Sequence, residues 1–275
     1  MTYPGGKSGA GVYQTIINQI PPHEVYIEPF VGGGGVFRNI RPARSSIVID
    51  SEPSAISPYQ KMPGITAIHG DGCSYLERRK WTGREFVYAD PPYLKQARKS
   101  QRDLYIHEWG TADHVRFLKL VRDLPCSIAI SGYHSRLYME ALHDWRVITF
   151  TAQTRRGPAT EYLWMNYPEP TALHDCRYLG ADFRERERIK RKAGRWAANF
   201  EAMPPLERQA VLSAMIASAG YGTGTFDDAG IAPRQIGRED PERIANDDDM
   251  AGHIAHSGDD GHLTPLEAAI RACPR

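Results

Sequence analysis

Short runs rich in valine and isoleucine recur through the first half of this chain, at Val25 to Ile27, Ile47 to Ile49, Ile65 to Ile68, Phe86 to Ala89 and Ser127 to Ser131. Runs of this length and composition read as strands buried on both faces, and helix-compatible segments separate several of them. The alternation predicts an α/β fold, a doubly wound and mostly parallel sheet of the Rossmann-like kind. Two further strand candidates, Arg146 to Thr151 and Glu161 to Tyr167, flank the polar turn Thr154-Arg155-Arg156-Gly157-Pro158. They read as a hairpin, so the sheet of seven strands ends in an antiparallel strand near Pro168.

The character of the chain changes after Pro170. Phe183 to Ala202 carries Arg184, Arg186, Arg188, Lys190, Arg191, Lys192 and Arg195 with one Gly and no Pro, as a basic helix would, and a second helix is expected over Leu206 to Ala219. From Gly220 on, glycines, Asp247-Asp248-Asp249 and Asp259-Asp260 describe a segment too poor in large apolar residues to fold alone. The expected organisation is therefore an α/β domain over 1–170, a basic helical extension over 171–219 and an acidic, disordered tail over 220–275. With 275 residues there is room for one core of this size plus an extension.

Net charge is +1 at 24% charged residues, so only local patches of charge bear on a nucleic-acid partner. Cys73, Cys126, Cys176 and Cys273 lie far apart, which suggests neither a metal site nor a disulfide framework and fits a reducing cytoplasm. No apolar run reaches the roughly 20 residues that a membrane span needs, and no signal peptide opens the chain. The expectation is a cytoplasmic monomer with no membrane association.

Val25 to Phe37 reads as a strand, a turn stripped of side chains at Gly32-Gly33-Gly34-Gly35, and a helix start. Such a turn lets a ligand approach main-chain N–H groups, and in doubly wound sheets the first crossover is where nucleotide-like ligands bind. A flexible surface loop is the plain alternative. The second run ends at Asp50, about 20 residues downstream, where a carboxylate can accept from ribose hydroxyls; it also suits a helix N-cap. Neither G-x-G-x-x-G nor G-x-x-x-x-G-K-[ST] occurs, which favours an adenosyl ligand without a polyphosphate.

The segment Val87-Tyr88-Ala89-Asp90-Pro91-Pro92-Tyr93 runs a hydrophobic strand into a carboxylate, two prolines and an aromatic ring. The prolines stiffen the turn and remove two N–H donors, leaving an acceptor-rich pocket. That pocket suits an amino group: Asp90 and the Pro91 carbonyl could take both N–H donors of a nucleobase NH2 while Tyr93 stacks on the ring. A rigid turn with a capping Asp and a core Tyr is the alternative for the segment alone. The strand, the glycine turn, the acidic strand end and Asp-Pro-Pro-Tyr nevertheless follow one another at βαβ spacing.

With these motifs residues 2–168 resemble the DNA-adenine methyltransferases of the Dam type, the D12 class of adenine-specific methylases. Tyr3-Pro4-Gly5-Gly6-Lys7 is similar to the family's N-terminal cofactor motif, Glu28 to Phe37 to its glycine-rich motif, and Asp90 to Tyr93 to its catalytic motif. The resemblance implies S-adenosylmethionine as cofactor and double-stranded DNA as partner. It implies a cofactor site built from Tyr3, Lys7, Glu28, Pro29, Phe30, Gly32, Gly34, Asp50, Asp71 and Asp90, and a catalytic segment Asp90, Pro91, Pro92 and Tyr93. No metal is required. Methyl transfer to adenine N6 of a flipped base is the implied reaction; cytosine N4 transfer, methylation of RNA or a protein amide, and a catalytically silent DNA-binding module are the alternatives. A prokaryotic or phage-infected cell, with a restriction-modification system or mobile element, is the implied setting; a partner nuclease and the target sequence are not readable.

Many relatives insert a target-recognition segment before Asp-Pro-Pro-Tyr, but only a short link separates Asp71 from Asp90. DNA contacts are therefore expected from Lys95, Arg98, Lys99 and Arg102 after the motif, and from Arg155 and Arg156 at the hairpin tip. The helix after Phe183 could add phosphate contacts, or its Glu185 and Glu187 could pair with its own cations.

Overall fold

The computed structural model describes residues 6–9, 11–98, 107–154 and 157–219. The expectations for Tyr3, Lys99, Arg102, Arg155, Arg156 and the segment 220–275 lie outside the described residues. Seven strands form one sheet: β1 (Val25–Glu28), β2 (Ser45–Asp50), β3 (Ile65–His69), β4 (Glu85–Ala89), β5 (Ser127–Gly132), β6 (Arg146–Thr154) and β7 (Gly157–Met165). Their order is β3-β2-β1-β4-β5-β7-β6. The first five run parallel, and β7 lies antiparallel between β5 and β6. All seven strand expectations are met, as is the doubly wound class with its terminal hairpin.

The helices are α1 (Val12–Ile17), α2 (Pro53–Ile56), α3 (Gly72–Arg78), α4 (Thr111–Asp123), α5 (Arg136–Ala141), α6 (Phe183–Ala202) and α7 (Pro205–Ser218). Local chemistry starts several of them. Asp71 caps α3 by accepting from the Cys73 N–H, and Ser135 caps α5 through the Tyr138 N–H. Pro53 opens α2, where its missing N–H costs no hydrogen bond. The cap of α2 is Glu52, which accepts from Ser54, so Asp50 is free of the capping role the sequence allowed it.

Three apolar clusters pack on the sheet, the smallest of them Val31, Val48, Ile56 and Tyr59; the two larger ones lie on opposite faces. One joins Ile27, Ile49, Val87 and Ile130 to Leu76, Phe117, Leu118 and Leu137 from α3, α4 and α5. The other joins Tyr26, Phe86, Tyr88 and Leu163 to Val12, Ile16 and Ile17 of α1. β4 is buried along its whole length, as a central strand between two helical layers must be. The strand order reverses between β1 and β4, which opens a crevice at their carboxyl ends.

One expectation needs correction. No helix follows the glycine turn; residues 32–40 make only turns, with Arg38 N–H donating to Gly34 and Ile40 N–H to Val36. Four consecutive glycines carry a high entropic cost in a helix, and Gly34 sits at φ 61°. One compact unit includes the residues through Ile189. Asp175, 1% exposed, accepts from the Arg41 N–H, and His174 N–H donates to the Ile20 carbonyl, so residues 171–182 are tied to the sheet layers. The second unit begins at Lys190 and holds the rest of α6 and all of α7. Neither helix has a buried residue, and Trp196 and Leu206 are exposed. Among the described residues, no helix is long and apolar enough to cross a membrane.

Candidate active site

Because β1, β2, β3 and β4 run parallel, their carboxyl ends share one edge of the sheet, and each delivers an acid there: Glu28, Asp50, Asp71 and Asp90. A cleft of about 190 Å3 opens at that edge. Phe30, Asp50, Asp71, Asp90, Pro92, His107, Trp109 and Arg116 are among the residues that line it. Phe30 and Trp109 meet edge to face at 5.1 Å and form its apolar wall.

Asp50 is held by main chain. Its Oδ2 accepts from the Gly32 N–H at 2.8 Å and its Oδ1 from the Glu52 N–H at 2.9 Å. Burial raises its pKa, and these two N–H groups oppose the rise. Asp71 is similarly placed by the Cys73 N–H, with Arg116 at 3.4 Å. The glycine turn thus serves the cleft in a way the sequence did not suggest: the Gly32 N–H is spent on orienting Asp50. Gly34 is required by packing, since a Cβ there would run into the Tyr59 hydroxyl in addition to its positive φ. Pro29 packs under Gly72, where any side chain would meet its carbonyl.

Asp90 is held by side chains. Its Oδ1 accepts from Lys7 Nζ at 2.7 Å, Ser131 Oγ at 2.7 Å and the Tyr93 hydroxyl at 3.0 Å, and its Oδ2 from Lys7 at 2.6 Å. The Tyr88 hydroxyl lies 2.8 Å from Ser131 Oγ. The expectation of an acceptor-only pocket is thereby corrected, because a buried ammonium already occupies the acceptors. Lys7, 3% exposed, also donates to the Tyr93 hydroxyl at 2.7 Å and lies 3.4 Å from Glu161 Oε2.

Glu161 was not anticipated. Its Oε2 is 2.8 Å from the Tyr93 hydroxyl, whose single proton can serve Asp90 or Glu161 but not both at once. Burial raises the Glu161 pKa, the Lys7 charge opposes that rise, and the Asp90 charge adds to it. A signal was present: Glu161 shares a strand face with Leu163 and Met165, and an acid on the inward face of a strand needs a partner. Ser131, at the end of β5, carried no such signal.

Several expected site residues stand elsewhere. Glu28 does not line the cleft; it is buried at 2% exposure, accepts from the Tyr26 hydroxyl at 2.7 Å, and burial raises its pKa to about 8. Tyr93 is 5% exposed and packs edge to face on Tyr133 at 4.6 Å, so stacking on a base requires its ring to turn outward. Pro91 is buried beneath the cleft edge, whereas Pro92 lines it. Arg98 is corrected as a DNA contact: its side chain is 2% exposed and its guanidinium holds Glu108 through two hydrogen bonds, at 3.0 and 2.5 Å. A buried arginine committed to a carboxylate by two hydrogen bonds is not available to phosphate. Lys95 lies half-buried in a short 3-10 turn, Lys95–Ala97. Among the described residues, no group of three His, Cys, Asp or Glu side chains is arranged to hold a metal ion.

No family model matches the chain, and no curated protein matches it. Solved structures do align. TrmK from M. capricolum, in complex with S-adenosyl-homocysteine, is 8% identical over 78% of this chain and 98% of its own, with a TM-score of 0.40. The 23S rRNA methyltransferase ErmE is 12% identical over 81% of this chain and 93% of its own, at 0.39. The precorrin 8W decarboxylase of Methanobacterium thermoautotrophicum is 17% identical over 60% of this chain and 94% of its own, at 0.40. At such scores these likenesses do not bear on the reaction or its substrate.

Proposed function

We propose that this chain is an S-adenosylmethionine-dependent DNA methyltransferase that methylates adenine N6. The observation that carries the reading is the position of Asp90-Pro-Pro-Tyr at the carboxyl end of β4, bordering a cleft whose far side is Asp50 at the end of β2. A carboxylate at the β2 end suits ribose hydroxyls, and the second, at the switch point, suits an amino group. The cleft fits an adenosyl ligand: its rim carries Asp50, Asp71 and Asp90 beside Arg116, so acids outnumber cations there, and its wall is aromatic at Phe30 and Trp109.

Asp50 would hold the ribose and Phe30 with Trp109 the adenine ring. The cofactor supplies an activated methyl group. Asp90 would accept a hydrogen bond from the substrate amino group and so fix its nitrogen, with the lone pair directed at the cleft. Positioning of this kind lowers a displacement barrier by several kcal/mol, and no covalent nucleophile on the protein is needed. Pro91 and Pro92 keep Asp90 from following ligand motion, because their φ angles are fixed.

Unmethylated plasmid DNA incubated with the protein and S-adenosylmethionine, followed by nucleoside mass spectrometry, tests the proposal. N6-methyladenine that disappears with Asp90→Ala is the expected result. N4-methylcytosine would keep the Asp90 role and change the base, since the same acceptor suits that amino group. Cofactor binding without any modified DNA would overturn the DNA reading.

A further inference from the structure

We propose that Glu161 is the second resting place of the Lys7 ammonium, which moves from Asp90 to Glu161 when a substrate amino group reaches Asp90. The inference rests on the methyltransferase reading and deepens it. Both Asp90 oxygens already accept hydrogen bonds, and every donor to them comes from the protein: Lys7, Tyr93 and Ser131. An incoming amino group is also a donor. Oδ1 already takes three donors, whereas Oδ2 takes Lys7 alone, so Oδ2 is where the amino group would meet Asp90 and Lys7 is the donor it would displace or crowd. Ser131 is backed by Tyr88 and sits at the end of the buried strand β5. Lys7 has somewhere to go. Glu161 Oε2 is already 3.4 Å from its Nζ, and a shift of less than an ångström along a flexible four-carbon stem would give a direct hydrogen bond.

Charge supports the same assignment. One ammonium buried between two carboxylates can satisfy either, and transfer between them leaves it paired throughout. The Tyr93 hydroxyl bridges the two positions at 2.7 Å from Lys7 and 2.8 Å from Glu161. Once Lys7 sits on Glu161, the hydrogen bonds that hold the Tyr93 ring inward are reorganised, which frees the ring to turn toward a base. Glu161 therefore acts through Lys7 and Tyr93; it is a positioning residue.

The test is Glu161→Gln, with Glu161→Asp to restore the charge. For Glu161→Gln, S-adenosylmethionine affinity by calorimetry should stay near wild type, while kcat on plasmid DNA should fall about 10- to 100-fold, the size of a lost hydrogen bond to a charged group. Glu161→Asp should recover a large part of the loss. A second readout needs no turnover: the 15N NMR signal of the Lys7 ammonium. In wild type saturated with S-adenosylhomocysteine, adenosine at millimolar concentration should shift it; in Glu161→Gln it should not move. Glu161→Gln turnover equal to wild type, or a wild-type Lys7 signal indifferent to adenosine, overturns the inference. A wild type that binds cofactor yet methylates no DNA overturns the proposed function instead, and the NMR signal still decides the lysine.

Discussion

The two halves of the cleft edge hold their carboxylates by opposite means. On the β1–β2–β3 side, Asp50 and Asp71 are fixed by backbone N–H groups that belong to turns and a helix start. On the β4–β5–β7 side, Asp90 and Glu161 are fixed by a lysine, a serine and a tyrosine hydroxyl. Backbone donors cannot leave without unfolding the loop that carries them, whereas side-chain donors can swing away at the cost of a rotamer change. One half of the edge is built to be ready before its ligand arrives; the other is built to rearrange.

Removing the acid that faces the reaction should have the largest effect. Asp90→Ala should lower turnover by about 10^3-fold or more while leaving DNA affinity comparatively intact, measured by initial rates beside filter binding. Next comes the lysine. Lys7→Ala leaves the buried Glu161 and the part-exposed Asp90 without their cation, and breaking a buried pair costs up to about 3 to 5 kcal/mol of stability. Denaturant unfolding should register that loss, and the double variant Lys7→Ala with Glu161→Gln should be more stable than Lys7→Ala alone. A double variant that is no better would mean that Glu161 does not feel the Lys7 charge.

On the backbone-held side the effects should be smaller and of another kind. Asp50→Asn keeps the shape but surrenders the charge, so S-adenosylmethionine should bind about tenfold more weakly, the size of a charge-assisted hydrogen bond, with kcat at saturation little changed. An equal fall in kcat would erase the distinction between the halves. The last expected effect is of another kind, on pH dependence. Glu28 has its pKa raised by burial from 4.5 to about 8, so the folded state prefers it protonated. The sign follows: the stability this group contributes is fully present below about pH 4.5 and is lost as pH climbs to about 8. Glu28→Gln should flatten the fall of Tm across that window; an unchanged slope would show that Glu28 is not the responsible group.

The sheet was legible because buried parallel strands must be written in long apolar runs, and Ile47-Val48-Ile49 or Phe86-Val87-Tyr88-Ala89 fit few other structures. Helix α1 carried no comparable signal; its six residues bury Val12, Ile16 and Ile17 only because β1 and β6 lie beneath. At the site, Asp50, Asp71 and Asp90 could be picked out since each closes a strand, where chain direction alone brings ligands close. What could not be read was which partner each acid takes. Lys7 and Asp90 are 83 residues apart, and Arg98 looks like any exposed cation until Glu108 closes on it.

That last pair has a consequence of its own. Arg98 and Glu108 are ten positions apart and clamp together the two ends of the stretch that follows the Asp-Pro-Pro-Tyr segment. Holding Glu108 in place also holds its neighbour Trp109, the ring against which Phe30 packs, so this one ion pair ties the apolar wall of the cleft to the chain that leaves the Asp-Pro-Pro-Tyr turn.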